Sequence, residues 1–379
     1  MFQRQPSRKH PSWPHGTAFV PPDYFPPSTG LRTVLNIELL KRLTETPGIP
    51  GREERVRELI AKECESLFDS VTTDAMGSLI ATRKTTRKDA KRVLLACHID
   101  QIGFYVKHVD EKGWIRLNAA GGFDTRNLFA RRVRIQTSTG DVTGILTPGG
   151  RPVHIARDED KKHIPEVGDF FIDLGLPGEE VKKRVRVGDP VTLIQEMLEI
   201  GETVCGQAMD NRVAGFVALE AVRKLAATGQ PAAYEIIFAA TVQEEVGLRG
   251  AGPATYAQKP DIAIGIDTTL CCDTPGVPEE ERVTKQGDGV GLTIMDSSVI
   301  SDRGLIDSFE AVAKRHNIPH QFSILPRGGT DTGAAQRAGA GVRAMTYSVP
   351  TRYIHTVVET VHKRDLQAAI DLLAAWLGE

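Results

Sequence analysis

The sequence predicts an α/β fold: a mostly parallel sheet sandwiched by helices and interrupted by a small β-barrel-like domain. Three observations point there. Short apolar, strand-forming runs such as 92–97 (RVLLAC), 234–240 (YEIIFAA) and 261–267 (DIAIGID) alternate with amphipathic helical segments, and such runs suit strands covered on both faces. From about 102 to 199 the pattern changes to short alternating runs separated by glycine turns, with no long helical period. After residue 200 the alternation of strand and helix resumes and continues to the last residues. The expected organisation is an N-terminal arm over 1–30, a main domain over 31–101 and 200–379, and an inserted β-rich domain over 102–199 that shapes the cleft and pairs subunits.

Taken in order, residues 1–30 are crowded with proline, which removes backbone donors and disfavours helix and central strand, so an extended arm is expected. Over 51–67, Val56, Leu59, Ile60, Cys64 and Leu67 recur at spacings of three and four, which predicts an amphipathic helix. A hairpin over 71–83 precedes the 92–97 strand, which delivers His98 and Asp100 at its end. Runs such as IGFYVKHV, WIRLNA, RRVRIQTSTGDVTGIL and DFFIDLG supply the strands of the insert. Asp210 and Asn211 then precede a helix whose apolar face includes Val213, Phe216, Val217 and Val222, and helix capping explains such a pair as readily as chemistry does. Strands follow at 235–243, 261–267 and 290–295, with a helix over 302–316. The strand in HQFSILP, the loop 327–333 (RGGTDTG), the strand VRAMTYSV, the segment PTRYIHT and a closing helix over 363–377 complete the chain.

A formal net charge of -2 over 379 residues gives no reason to expect nucleic acid or an anionic membrane as partner. The five cysteines are odd in number and form no C-x-x-C pair, which predicts buried free thiols in a reducing compartment. No apolar run approaches 18 residues and the N-terminus lacks the apolar core of a signal peptide, so a cytoplasmic location is expected.

Five groups stand at strand ends or in the loops that follow: His98, Asp210, Glu245, Asp267 and His355, with Asp100 and Glu244 beside two of them. Each alone has a plain explanation, since a lone histidine after a strand is usually structural and an acidic pair is usually solvated. Parallel strands, however, bring their carboxyl ends to one edge, where ligands bind in open α/β sheets. Two imidazoles and three carboxylates meeting there would make a metal site for zinc, or for cobalt or manganese. Three carboxylates and a hydroxide balance two divalent ions better than one.

The segments CHIDQIGF, QAMDNRVAG, VQEEVGLRGA, GIDTT, MDSS, LPRGGTDTGAA and PTRYIHT, in this order, resemble the tetrahedral and glutamyl aminopeptidases, also described as endoglucanase-like or FrvX-like peptidases. These are dinuclear metallopeptidases with an inserted β domain. The resemblance runs from about Leu31 to the end of the chain. It implies that His98 and Asp267 hold one metal, Glu245 and His355 the other, and Asp210 bridges them. It also implies that Glu244 is the general base and that Asp100 orients His98. The function so implied is a metal-dependent aminopeptidase that removes N-terminal residues from peptides by metal-activated water attack. A deacylase of N-acyl amino acids and an endoglucanase are the alternatives, and the implied assembly is a dimer-based homo-oligomer, commonly of twelve subunits. Two features depart from the family pattern: Gln101 stands where a glutamate is usual after the His-x-Asp motif, and the proline-rich arm has no counterpart.

Overall fold

The computed structural model describes Leu35–Glu379, so the proline-rich arm expected over 1–30 lies outside the described residues. Strands β1 (Ser70–Thr73), β2 (Leu79–Arg83) and β3 (Arg92–His98) open the main sheet. The chain then leaves it through β4 (Gly103–Val109), β5 (Ile115–Ala120), β6 (Arg131–Thr137), β7 (Gly140–Pro148), β8 (Phe170–Asp173) and β9 (Pro190–Leu193), which close into an antiparallel barrel in the order β4-β5-β8-β7-β6-β9. It returns through β10 (Leu198–Ile200) and β11 (Thr203–Gly206), and completes the sheet with β12 (Glu235–Thr241), β13 (Ile262–Leu270), β14 (Val290–Met295), β15 (His320–Ile324), β16 (Arg343–Arg352) and β17 (Glu359–His362). The predicted α/β sheet with its inserted barrel is thus the architecture found.

The sheet order β1-β2-β12-β3-β13-β16-β17-β11-β10 places four parallel strands, β12, β3, β13 and β16, at its centre. Register decides what their ends present. Thr241 lies opposite His98, and Asp267 opposite Ser348, so the last residues of these strands line up along one edge.

The two faces of the sheet are unequal. Val93, Leu95 and Cys97 of β3 and Ile262, Ile264 and Ile266 of β13 point into the large core, under the helices Ile37–Glu45, Glu54–Cys64, Met209–Ala227, Arg303–His316 and Lys363–Gly378. The alternate residues, Leu94 and Ala96 of β3 and Ala263 and Gly265 of β13, lie on the other face, which the short helices Ala251–Gln258 and Asp331–Gln336 cover. Gly265 must lack a side chain, because a Cβ built there would lie 1.9 Å from Thr332 Oγ1. His98 and Asp267 fall on this thin face by the two-residue period of a strand.

Several elements went beyond the sequence reading. The helix Ala251–Gln258 (AGPATYAQ) meets the apolar side chains of the sheet through small residues such as Ala254 and so carries almost no apolar periodicity. The expected loop 327–333 turns helical from Asp331. All five cysteines are free, with Cys64, Cys97 and Cys271 buried. Among the described residues no helix is long and apolar enough to cross a membrane.

Candidate metal centre

His98 ends β3, Asp267 lies within β13, Glu244 and Glu245 follow β12 by three and four residues, and His355 follows β16 by three. Asp210 arrives from the other side, after β11. Met209–Ala227 is one helix by its hydrogen bonds, yet Asp210 and Asn211 have non-helical backbone angles. The capping role falls to Asn211, whose Oδ1 accepts from the Ala214 amide at 3.3 Å while its Nδ2 donates to the Ile266 carbonyl at 2.9 Å. That leaves the Asp210 carboxylate for the cavity.

All five groups come together. His98 Nε2 stands 3.2 Å from Asp210 Oδ1 and 3.7 Å from Asp267 Oδ1, while His355 Nε2 stands 3.5 Å from Asp210 Oδ2 and 3.3 Å from Glu245 Oε2. They form two trios, His98–Asp210–Asp267 and Asp210–Glu245–His355, in each of which the ligand atoms lie within 4.8 Å of one another. Asp210 belongs to both. Glu244 Oε2 is 3.8 Å from His98 Nε2, and its carboxylate has no hydrogen bond among the described residues.

Backbone geometry is unusual at these loops. Ala208, Gln243 and His355 adopt φ of 53°, 57° and 63°, the left-handed region that side chains disfavour. Such residues persist where the surroundings fix them. Asp100 supplies part of that fixing: fully buried, it accepts the Glu244 amide on Oδ1 at 3.0 Å and the Glu245 amide on Oδ2 at 3.1 Å. The resemblance implied a carboxylate that orients His98, but the Asp100 atom nearest His98 Nδ1 is its backbone carbonyl at 3.2 Å, with Oδ1 at 3.6 Å. The Asp100 side chain therefore grips the two glutamates first.

Buried carboxylates dominate the electrostatics. Burial works against a charge on His98, yet Glu244, Asp267, Asp100 and Asp210 outweigh it and hold the imidazole well above its ordinary pKa. Likewise burial opposes charge on His355, and Asp210 and Glu245 push it up to about 11. Burial raises Asp267 to about 7 against the pull of His98. Asp210, flanked by both imidazoles, is held below the usual carboxylate range in spite of burial. The cluster calls for positive charge, and Glu245 Oε1 is buried without a hydrogen-bond partner. Oxygen and nitrogen donors in excess of protons, with one oxygen left over, fit divalent cations.

Three residues near the site escaped the sequence reading. Glu359, buried on β17, accepts the Asp210 amide at 3.0 Å and the His355 amide at 2.8 Å. A signal was present: in β17 the two-residue alternation buries Glu359 together with Val361, so a charge sits on the buried side of a strand. Asp331, buried beneath the thin face and raised to about 6 by burial, accepts from Thr241 Oγ1. Arg212, 1% exposed, donates to the carbonyls of Leu43, Thr46 and Gly48 and, at 3.3 Å, to Gln101 Oε1. Gln101 therefore gives this guanidinium a neutral acceptor.

The centre opens into a cavity of about 550 Å³. Away from the acidic end its walls include Leu248, Leu270, Leu325, Arg327 and Ile354.

The family model for M42 glutamyl aminopeptidase matches residues 77–372. The lysyl aminopeptidase of Pyrococcus furiosus is 31% identical over 348 residues, covering 90% of this chain and 96% of the relative. Among solved structures, the TET aminopeptidase of the marine sediment archaeon Thaumarchaeota archaeon SCGC AB-539-E09 superposes with a TM-score of 0.86 at 34% identity, covering 90% of this chain and 96% of its own. The TET1 peptidase of Pyrococcus horikoshii, which can assemble into a tetrahedron or a large octahedral shell, does so at 0.80 and 32%, covering 90% and 99%. With a sheet edge that gathers imidazoles and carboxylates around one shared aspartate, and relatives matched over nearly their whole length, this chain belongs to the M42 glutamyl aminopeptidase family of metal-dependent aminopeptidases.

Proposed function

We propose that this aminopeptidase removes N-terminal residues from peptides at a pair of divalent ions, zinc in the first place, with cobalt or manganese able to take the same donors. His98 and Asp267 would hold one ion, Glu245 and His355 the other, and Asp210 both. The observation that carries this reading is the division of Asp210, whose two oxygens face different imidazoles at 3.2 and 3.5 Å. When bound, the ions supply Lewis-acid chemistry, lowering the pKa of a water molecule and polarising the scissile carbonyl.

The chain's own part is proton transfer and alignment. Glu244 is the general base: its carboxylate lines the cavity and is free of hydrogen bonds among the described residues. Burial, reinforced by Asp267, Asp331 and Glu245 and opposed by His98, raises its pKa well above that of an ordinary glutamate. A glutamate so raised can take a proton from water and hand it to the leaving amine. Glu245, one residue on, faces His355 instead, so adjacent acids divide binding from proton transfer. Asp100 holds both in register through their amides.

The same reading includes a cytoplasmic location, supported by five free thiols, and a homo-oligomer built from dimers, with twelve subunits as its expected size. The assembling TET1 peptidase supports the latter, as do exposed apolar side chains on the barrel (Phe129, Ile145) and along β15 (Phe322, Ile324). A panel of aminoacyl-nitroanilides, offered to metal-free protein and to protein reloaded with zinc, cobalt or manganese, tests the activity. Cleavage of free but not N-acylated substrates, restored only by metal, is expected; cleavage of the blocked substrates alone would turn the reading toward a deacylase.

A further inference from the structure

Glu359 is a buried carboxylate to which the reaction outlined above gives no task. Its two oxygens accept the backbone amides of Asp210 and His355, residues 149 and 4 positions away, and both belong to the trio completed by Glu245. The arrangement repeats that of Asp100, which takes the amides of Glu244 and Glu245. A leucine or valine would fill this buried position, on the same strand face as Val361, at lower cost, since burying a carboxylate is expensive unless it is fully hydrogen-bonded. Two converging N–H groups are what that carboxylate answers, and one of them belongs to a histidine in the left-handed conformation.

We propose that Glu359 is a positioning residue for one ion of the pair: by accepting both amides it fixes the backbone of His355 and sets its separation from Asp210, without itself reaching the ion. The proposal rests on the two-ion reading. A carboxylate is required because both partners are donors, so an amide in its place would turn an N–H against one of them.

The test is a calorimetric titration of zinc into metal-free full-length protein, for the natural chain, for E359Q and for H355A. The natural chain is expected to bind in two steps. In E359Q one step should weaken by about 10- to 100-fold, as outer hydrogen-bond partners of metal ligands do, and by more than the other, which keeps His98 and Asp267. The step weakened more should be the one missing in H355A. A merely structural residue would lower the melting temperature without choosing between steps. Two natural steps with E359Q indistinguishable from them would overturn the role of Glu359 alone. A natural chain that binds no pair of ions would overturn the two-ion reading and the proposal with it. If E359Q does not fold, amide exchange in the natural metal-free protein decides: a slowly exchanging His355 amide supports the clamp, and one exchanging at the rate of an unprotected amide overturns it.

Discussion

Replacing Asp100 by asparagine should cost about 2.5–6 kcal/mol of stability and on the order of 100-fold in kcat. In the natural chain both carboxylate oxygens of this fully buried residue accept main-chain amides, those of Glu244 at 3.0 Å and Glu245 at 3.1 Å. Asparagine keeps one acceptor and turns an NH₂ group toward the other amide. One charge-assisted hydrogen bond, about 1.5–3 kcal/mol, is lost, and a buried donor left facing a donor adds about 1–3 kcal/mol. At about 1.3 °C per kcal/mol for a chain of this size, the melting temperature should fall by roughly 3–8 °C. The turn bearing the proposed base then shifts, and a displacement of about 1 Å at a reacting group is enough for a loss on the order of 100-fold. The assay pairs thermal melting of the metal-free protein with aminoacyl-nitroanilide kinetics at saturating metal. A D100N variant that melts with the natural chain and turns over at its rate would refute the reasoning. Had Asp100 acted chiefly by orienting His98, metal affinity would fall while the melting temperature held.

For E244Q, both ions should remain bound while kcat drops by about 10²–10⁴, the usual contribution of a general base, as checked by metal analysis beside kinetics. H355A should lose one ion first, seen as one missing step when metal is titrated back. The Asp273–Arg352 pair gives a pH signature. Burial works to raise Asp273, but two contacts of 2.6 Å from Arg352, with help from Cys271 and the Gln286 amide, bring it from 3.8 down to about 2. A lowered carboxylate contributes stability above its unfolded pKa and loses it as pH falls through the folded one, here about 2 kcal/mol between roughly pH 4 and pH 2. Denaturant melts of metal-free R352Q and natural protein should therefore differ above pH 4 and converge toward pH 2.

The sheet and the gathering of His98, Asp210, Glu245, Asp267 and His355 were legible because apolar strands end abruptly in polar residues. A run such as RVLLAC followed by His98 and Asp100 states both the element and the edge at which it stops. What stayed hidden acts through backbone. Glu359 serves amides that lie 149 and 4 residues away, and nothing in the letters VVETVH names those partners. The same holds for the grip of Asp100, where side-chain identity was readable and its targets were not. Arg212 could be mistaken for an exposed cation on a helix, although it is packed against four carbonyl-type acceptors. The helix Ala251–Gln258 hid for a different reason, since the large side chains at its contact, Ile80, Leu94 and Ile237, come from the sheet and the helix brings only alanine to meet them.

The position of β3 has a consequence for biosynthesis. Its neighbours in the sheet are β12 and β13, and β2 pairs with β12 instead. As the polypeptide emerges from the ribosome, this very apolar strand therefore appears well over a hundred residues before either partner is translated. At 5–20 residues per second the wait is on the order of 10 s. The interposed barrel closes on itself and can form in that interval, whereas β3 must stay unpaired with both edges open, which makes it the segment of this nascent chain most in need of a chaperone.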